Sequence, residues 1–105
     1  MVGVAQSEAQ GVQEKIEMKH LTVRIFGDVQ GVGFRFWAKQ CADELGIKGF
    51  ARNEKDGSVC VEAEGESSAL EEFVARCRKG PPFACVERVS TEEGALRGYE
   101  GFEIN

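Results

Sequence analysis

The feature that most constrains the fold is the order in which two hydrophobic periodicities follow each other along the chain. Leu21, Val23 and Ile25 alternate with polar residues, which is typical of a strand with one buried face. Between Phe34 and Leu45, apolar residues instead recur at intervals of three and four, as they do on one face of a helix. Two strand patterns, a second helical pattern and two more strand patterns then follow, at residues 47–53, 59–64, 70–77, 85–93 and 99–104.

This order of elements predicts an α+β, ferredoxin-like βαββαβ sandwich, with an antiparallel sheet and two helices on one face. The compact pattern covers residues 20–105, which we interpret as one domain. Residues 1–19 lack a clear period and are interpreted as an N-terminal extension. Ser68 followed by Glu71 predicts a capping box at the start of the second helix.

Charge and cysteine content exclude several classes of function. The chain has 13 Lys and Arg against 18 Asp and Glu, a net charge of −5, so no nucleic-acid partner is expected. No apolar run approaches the ~20 residues of a membrane span, and no secretory signal is recognisable. The chain has four cysteines, Cys41, Cys60, Cys77 and Cys85. They show no metal-knuckle or redox spacing, which predicts reduced thiols and a cytoplasmic protein. The protein is expected to be a monomer.

The strongest chemical signal is the glycine-rich connection after the first strand, residues 27–35. Its glycines remove side chains that would block an oxyanion, and it runs into a helix N-terminus, which favours negative charge. Arg35, in the first helical turn, carries a guanidinium that can hold two phosphate oxygens. The stretch is suited to binding phosphate, but a loop that only turns the chain, followed by a surface arginine, fits the same residues.

Other polar residues are less informative on their own. Asn53, at the end of the second strand pattern, fits either a turn residue or a carboxamide that orients a water. His20 has no evident nucleophile partner and is interpreted as a surface polar residue. Glu62 and Glu64 are interpreted as solvated surface charges. No group of His or carboxylate residues has the spacing of metal ligands.

Residues 20–105 resemble the acylphosphatases over almost their whole length. The resemblance rests on Gly27–Arg35 and on Gly49–Asn53, the second followed by Gly57-Ser58-Val59 and Gly65. It continues through the later segments Gly80-Pro81-Pro82, Ala84, Val86, Val89 and Gly101–Ile104.

The resemblance implies hydrolysis of the carboxyl–phosphate bond of acyl phosphates, without a metal or a cofactor. It implies that Arg35 binds the phosphoryl group and that Asn53 positions the attacking water, so that both are catalytic residues. It also implies a phosphate-binding cradle of main-chain amides from Asp28, Val29, Gln30, Gly31 and Val32.

Two other functions remain open for this fold. One is a domain that handles carbamoyl phosphate within a larger protein. The other is a non-catalytic module that binds an oxyanion. The expected partner is a small-molecule acyl phosphate substrate.

Overall fold

The computed structural model describes residues 16–105, which form five strands and two helices. In chain order these are β1 (Met18–Asp28), α1 (Phe34–Leu45), β2 (Lys48–Asn53), β3 (Val59–Glu66), α2 (Ser67–Lys79), β4 (Cys85–Gly94) and β5 (Phe102–Ile104). Within residues 16–105, no helix is long and apolar enough to cross a membrane.

The five strands form one sheet in the order β4-β1-β3-β2-β5. β1 pairs antiparallel with both β3 and β4, and β2 pairs antiparallel with β3. The predicted ferredoxin-like arrangement is therefore confirmed. The sheet as a whole is mixed rather than antiparallel, because β5 lies parallel to β2 at the outer edge.

The core lies between the sheet and the two helices. Successive side chains of a strand point to opposite faces, so Val23 and Ile25 of β1 lie on the same face as Val61 of β3. This face packs against Phe34 of α1 and Phe73 of α2, and all five side chains are almost completely buried. The opposite face of the sheet carries no helix, and we call it the open face.

The first strand begins earlier than predicted. Met18 pairs with Glu66, and the main-chain oxygen of Glu17 accepts a hydrogen bond from the N–H of Ser67. β1 therefore starts at Met18 rather than at His20. Residues 1–15 lie outside the described residues, so the division into an extension and a domain stays a prediction.

Two other boundaries also differ from the prediction. The capping box is wrong: α2 begins at Ser67, the capping residue Glu66 makes no side-chain cap bond, and Ser68 is already helical. The last strand is shorter than predicted and begins at Phe102, because the residues around Tyr99 cross the open face instead of pairing with β2.

All four cysteines are free thiols. Cys41 and Cys77 lie on the buried faces of α1 and α2, as predicted, and Cys60 is also buried. Cys85 is exposed. Burial raises the pKa of Cys77 to about 12, so this thiol is inert near neutral pH.

We expect reducing agent to leave the melting temperature within about 2 °C, because no cystine is present to be broken. A native disulfide contributes about 2–5 kcal/mol in a small domain. Its loss would lower the melting temperature by about 10 °C or more. Thermal unfolding with and without reductant measures this, and the Cys85→Ser variant controls for bridges between molecules. A fall of that size in both proteins would contradict the free-thiol assignment.

Candidate active site

The connection between β1 and α1 depends on glycine at two positions. Gly27 has φ +132°, and a Cβ atom there would lie 2.2 Å from the main-chain oxygen of Cys85. No other residue fits without moving β4 away from β1. Gly33 caps α1 in the left-handed conformation, with φ 80°. The N–H groups of the first helical turn have no acceptor within the helix and are available to an anion.

Two side chains hold this connection against the rest of the fold. Val29 is 1% exposed and belongs to the core. The Nε2 group of Gln30 donates to the main-chain oxygens of Glu54 and Ser58, at 2.7 and 2.9 Å. These anchors fix the loop to the turn between β2 and β3. Asp28 and Gly31, in contrast, are exposed, so the loop lies at the protein surface where a small ligand can reach it.

Arg35, the second residue of α1, is oriented by the end of the chain. Its Nη1 group donates to the main-chain oxygen of Asn105 at 2.8 Å, and the N–H of Asn105 donates to Ala51 of β2 at 2.9 Å. Within residues 16–105, Arg35 forms no ion pair with an Asp or Glu side chain. One of its five N–H donors is therefore used for orientation, which leaves the remaining donors for an oxyanion.

Asn53 is the last residue of β2, where it pairs with Val59. Its side chain is exposed and makes no hydrogen bond to another of the described residues. The turn that follows is well ordered, since the N–H and the hydroxyl of Ser58 both donate to Asp56, at 2.9 and 2.6 Å. These two hydrogen bonds lower the pKa of Asp56. The Asn53 carboxamide is thus an unengaged polar group at the end of a rigid strand.

The topology brings the predicted site residues to one end of the sheet. β1 and β2 are both antiparallel to β3 and therefore run in the same direction. The loop after β1 therefore lies at the same end of the sheet as Asn53, the last residue of β2. The Gln30 side chain links this loop to the turn that follows Asn53. Arg35 is linked to β2 through Asn105. These two links were not predicted, because each joins residues far apart in sequence and each ends on a main-chain oxygen.

The interpretation of His20, Glu62 and Glu64 as surface polar residues is wrong. His20 is 4% exposed and Glu64 is 5% exposed. The His20 ring bonds Glu64 through Nδ1 at 2.7 Å and Glu62 through Nε2 at 2.6 Å. All three side chains lie on the open face, on the neighbouring strands β1 and β3. The sequence carried one signal of this shared face: all three residues stand at even positions of the strand patterns.

Metal ligands are not brought together in the described part of the chain. Within residues 16–105, no three His, Cys, Asp or Glu side chains are arranged so that they could hold a metal ion. The groups at the end of the sheet are instead main-chain amides, a guanidinium and a carboxamide.

Fold and site together define a small ferredoxin-like α+β domain whose strand–loop–helix connection is suited to an oxyanion. The acylphosphatase family model matches residues 21–104. The acylphosphatase of Thermotoga maritima is 49% identical over 87 residues, which cover 83% of this chain and 97% of that protein. The chain therefore belongs to the acylphosphatase family, as the resemblance indicated.

Structural comparison agrees with this assignment. The crystal structure of acylphosphatase from Bacillus subtilis is similar with a TM-score of 0.81 and 36% identity, covering 83% of this chain and 98% of that one. Full-length HypF, in its phosphate- and nucleotide-bound form, is similar with a TM-score of 0.78 and 25% identity. That match covers 90% of this chain but 12% of HypF, so the same fold also occurs as part of a much longer chain.

Proposed function

We propose that this protein is an acylphosphatase, which hydrolyses the carboxyl–phosphate bond of acyl phosphates to a carboxylate and phosphate. The observation that carries the proposal is the meeting of the anchored glycine loop, Arg35 and Asn53 at one end of the sheet, in a chain of this family. The residues involved bind, orient and stabilise charge. This is what phosphoryl transfer chiefly requires of a protein.

In the proposed site, the phosphoryl oxygens bind to Arg35 and to the main-chain amides of residues 28–32. The transition state of phosphoryl transfer spreads negative charge over its three equatorial oxygens. Fixed N–H donors and a guanidinium stabilise that charge without reorganising during the reaction. The side chains of Val29 and Gln30 support this role, since they hold the loop in place without occupying its main-chain donors.

Asn53 orients the attacking water in line with the leaving carboxylate. The water oxygen forms a bond to phosphorus while the bond from phosphorus to the acyl oxygen breaks. The leaving carboxylate has a conjugate acid with a pKa near ~4, so it departs without protonation at neutral pH. We assign the proton lost by the water to a phosphoryl oxygen. No covalent enzyme intermediate forms in this sequence of steps.

We expect this hydrolysis to need no metal ion. Phosphate release from acetyl phosphate is measured after chelation of divalent ions, and activity is expected to stay within twofold of the untreated enzyme. A phosphate monoester of an aliphatic alcohol, whose leaving group is about 10 pKa units more basic, is the control substrate and is not expected to turn over. Activity that disappears with chelator and returns with a divalent ion would contradict the metal-free mechanism.

A second candidate is a domain that handles carbamoyl phosphate. This candidate requires the fold to occur as one domain of a longer chain, as it does in HypF. Carbamoyl phosphate is also a carbonyl–phosphate anhydride, so one assay compares the two functions. A kcat/KM at least tenfold higher for carbamoyl than for acetyl phosphate would favour the second candidate. Phosphate binding without turnover of either compound would instead indicate a non-catalytic oxyanion-binding module.

We further propose a cytoplasmic monomer in which residues 20–105 form the catalytic domain and residues 1–19 precede it. Met18 and Lys19 of that preceding segment complete the first strand. Four free thiols suit a reducing compartment, and the net charge of −5 disfavours a nucleic-acid partner.

A further inference from the structure

The open face of the sheet contains a charged cluster, formed by the buried His20 and Glu64 and the partly exposed Glu62. His20 lies directly opposite Glu64 in the β1–β3 ladder, and each of its ring nitrogens contacts a carboxylate oxygen. The ring thus lies between two carboxylates, and a hydrogen bond of 2.6–2.7 Å joins it to each of them. Thr22 completes the cluster by donating from its hydroxyl to Glu62 at 2.8 Å.

Glu64 is ionised in this cluster. Burial raises its pKa, but hydrogen bonds from His20 and from the main-chain N–H groups of Arg97 and Gly98 outweigh burial, so the pKa lies below its ordinary value. Breaking a buried charged pair by removing one partner is strongly destabilising. The Glu64 carboxylate therefore keeps its hydrogen bonds to His20 and to the N–H groups of Arg97 and Gly98.

What covers the cluster is the connection between β4 and β5, residues 95–101, which we call the crossing segment. The N–H groups of Arg97 and Gly98 donate to the two carboxylate oxygens of Glu64. The Tyr99 ring lies 6.0 Å from the His20 ring and packs edge-on against Phe50 at 5.8 Å. The middle of the crossing segment is thus fastened to the sheet by main-chain hydrogen bonds to a buried carboxylate.

The crossing segment connects the two edge strands of the sheet. β4 and β5 are at opposite edges of the sheet, four strand spacings apart, which amounts to about 19 Å. From Gly94 to Phe102 the chain has eight Cα-to-Cα steps, which reach at most about 26–29 Å. The reach exceeds the span by about 7–10 Å, so a displacement at Arg97 and Gly98 is shared between the crossing segment and β5.

The residue that follows β5, Asn105, carries the oxygen that orients Arg35. The strand has three residues and is held to β2 at Gly49 and Ala51, with Asn105 directly following. The main-chain oxygen of Asn105 accepts the hydrogen bond from Arg35. A continuous set of contacts thus runs from the charged cluster, through the crossing segment and β5, to the guanidinium.

We propose that His20 and Glu64 are positioning residues for Arg35, acting through the crossing segment and Asn105. The inference rests on the proposed function, in which Arg35 binds the phosphoryl group. His20 itself touches no substrate, because it lies at the opposite end of β1 from the glycine loop. Disturbing the cluster shifts the guanidinium and weakens phosphate binding, although the site's own residues are unchanged.

The test is the phosphate inhibition constant and KM of His20→Gln, which lacks the ring whose two nitrogens contact Glu62 and Glu64. We expect both constants to rise about fivefold to tenfold, with a smaller change in kcat. Lys19→Gln is the matched control: it removes the exposed Lys19–Glu93 ion pair, 3.3 Å long, from the neighbouring position of the same strand. It is expected to leave both constants unchanged.

Combining His20→Gln with Arg35→Lys separates a positioning role from a merely structural one. If His20 acts through Arg35, His20→Gln adds little in the Arg35→Lys background. Glu64→Gln, which retains a carbonyl acceptor for the crossing segment, is the second variant if His20→Gln does not fold. All comparisons are made on protein whose unfolding transition shows it to be folded.

The outcomes distinguish the inference from the proposed function. An Arg35→Lys variant with unchanged phosphate affinity would contradict the proposed site itself. If Arg35→Lys weakens phosphate binding, the site stands. Unchanged constants in His20→Gln and Glu64→Gln, or losses that multiply fully with Arg35→Lys, would then overturn the positioning role alone.

Discussion

Replacing Asn53 with alanine is expected to lower kcat about 100-fold, the scale of loss that follows from misplacing a reactant by about 1 Å. The inhibition constant for phosphate is expected to stay within about twofold. Asn53 has an unengaged carboxamide at the end of β2 and, in the proposed mechanism, contacts the water rather than the phosphoryl group. Steady-state kinetics on acetyl phosphate, with inorganic phosphate as competitive inhibitor, measures both quantities.

Lys55→Ala is the matched control for this experiment. Lys55 lies two residues further along the same turn, is exposed, and forms no ion pair with another of the described residues. It should leave kcat and phosphate inhibition unchanged. A variant Asn53→Ala that lost phosphate affinity but kept its turnover rate would show that Asn53 binds the phosphoryl group instead of positioning the water.

The Arg35→Lys variant is expected to lose both binding and turnover. Lysine keeps the charge but lacks the planar fork that can bond Asn105 and two phosphate oxygens at once. Because Arg35 holds the phosphoryl group in the substrate and in the transition state, KM and the phosphate inhibition constant rise while kcat falls. We expect kcat/KM to fall about 100- to 1,000-fold, the scale seen when a preorganised charge-stabilising donor is removed.

Arg78→Lys makes the same chemical change at an exposed position near the end of α2 and is the matched control. It is expected to match the parent protein in all three constants. Arg35→Lys with parental values would mean that the cradle is assigned wrongly and that the phosphoryl group binds elsewhere.

The Arg35→Lys/Asn53→Ala double variant need not show the product of the two single losses. The two side chains act on opposite sides of one phosphorus atom, and residues that act as a unit are strongly non-additive. Once the phosphoryl group is held poorly, orienting the water correctly gives less advantage.

Much of the fold could be predicted because its signals are local. The two periodicities separate the strands from the helices, since an element that buries one face must repeat its apolar residues at its own period. α1 ends at Leu45 with a left-handed Gly46, as its apolar pattern and following glycine indicated. The boundaries that were wrong, at Met18, Ser67 and Phe102, are decided by pairing with distant strands.

The candidate site was predictable in part. Arg35, Asn53 and the glycine loop were found from the sequence, but from residue types alone each had an ordinary structural explanation. The groups that hold them were not found. Gln30 bonds to two main-chain oxygens of a turn more than 20 residues away, and Arg35 bonds to one 70 residues away. Every residue has a main-chain oxygen, so the pattern of side chains does not predict which of these oxygens accepts a hydrogen bond from Gln30 or Arg35.

The sequence by itself determined the order of the elements, the face that each one buries and the glycine loop between β1 and α1, because these depend on neighbouring residues and on backbone sterics. Only the tertiary structure decided the state of His20, Glu62 and Glu64. Alternating polar residues predict a face open to water. Here the crossing segment covers that face, so the same side chains are removed from water and must pair with one another and with its amides. Whether a polar strand face meets solvent depends on where a distant connection passes, and that is settled when the whole chain is folded.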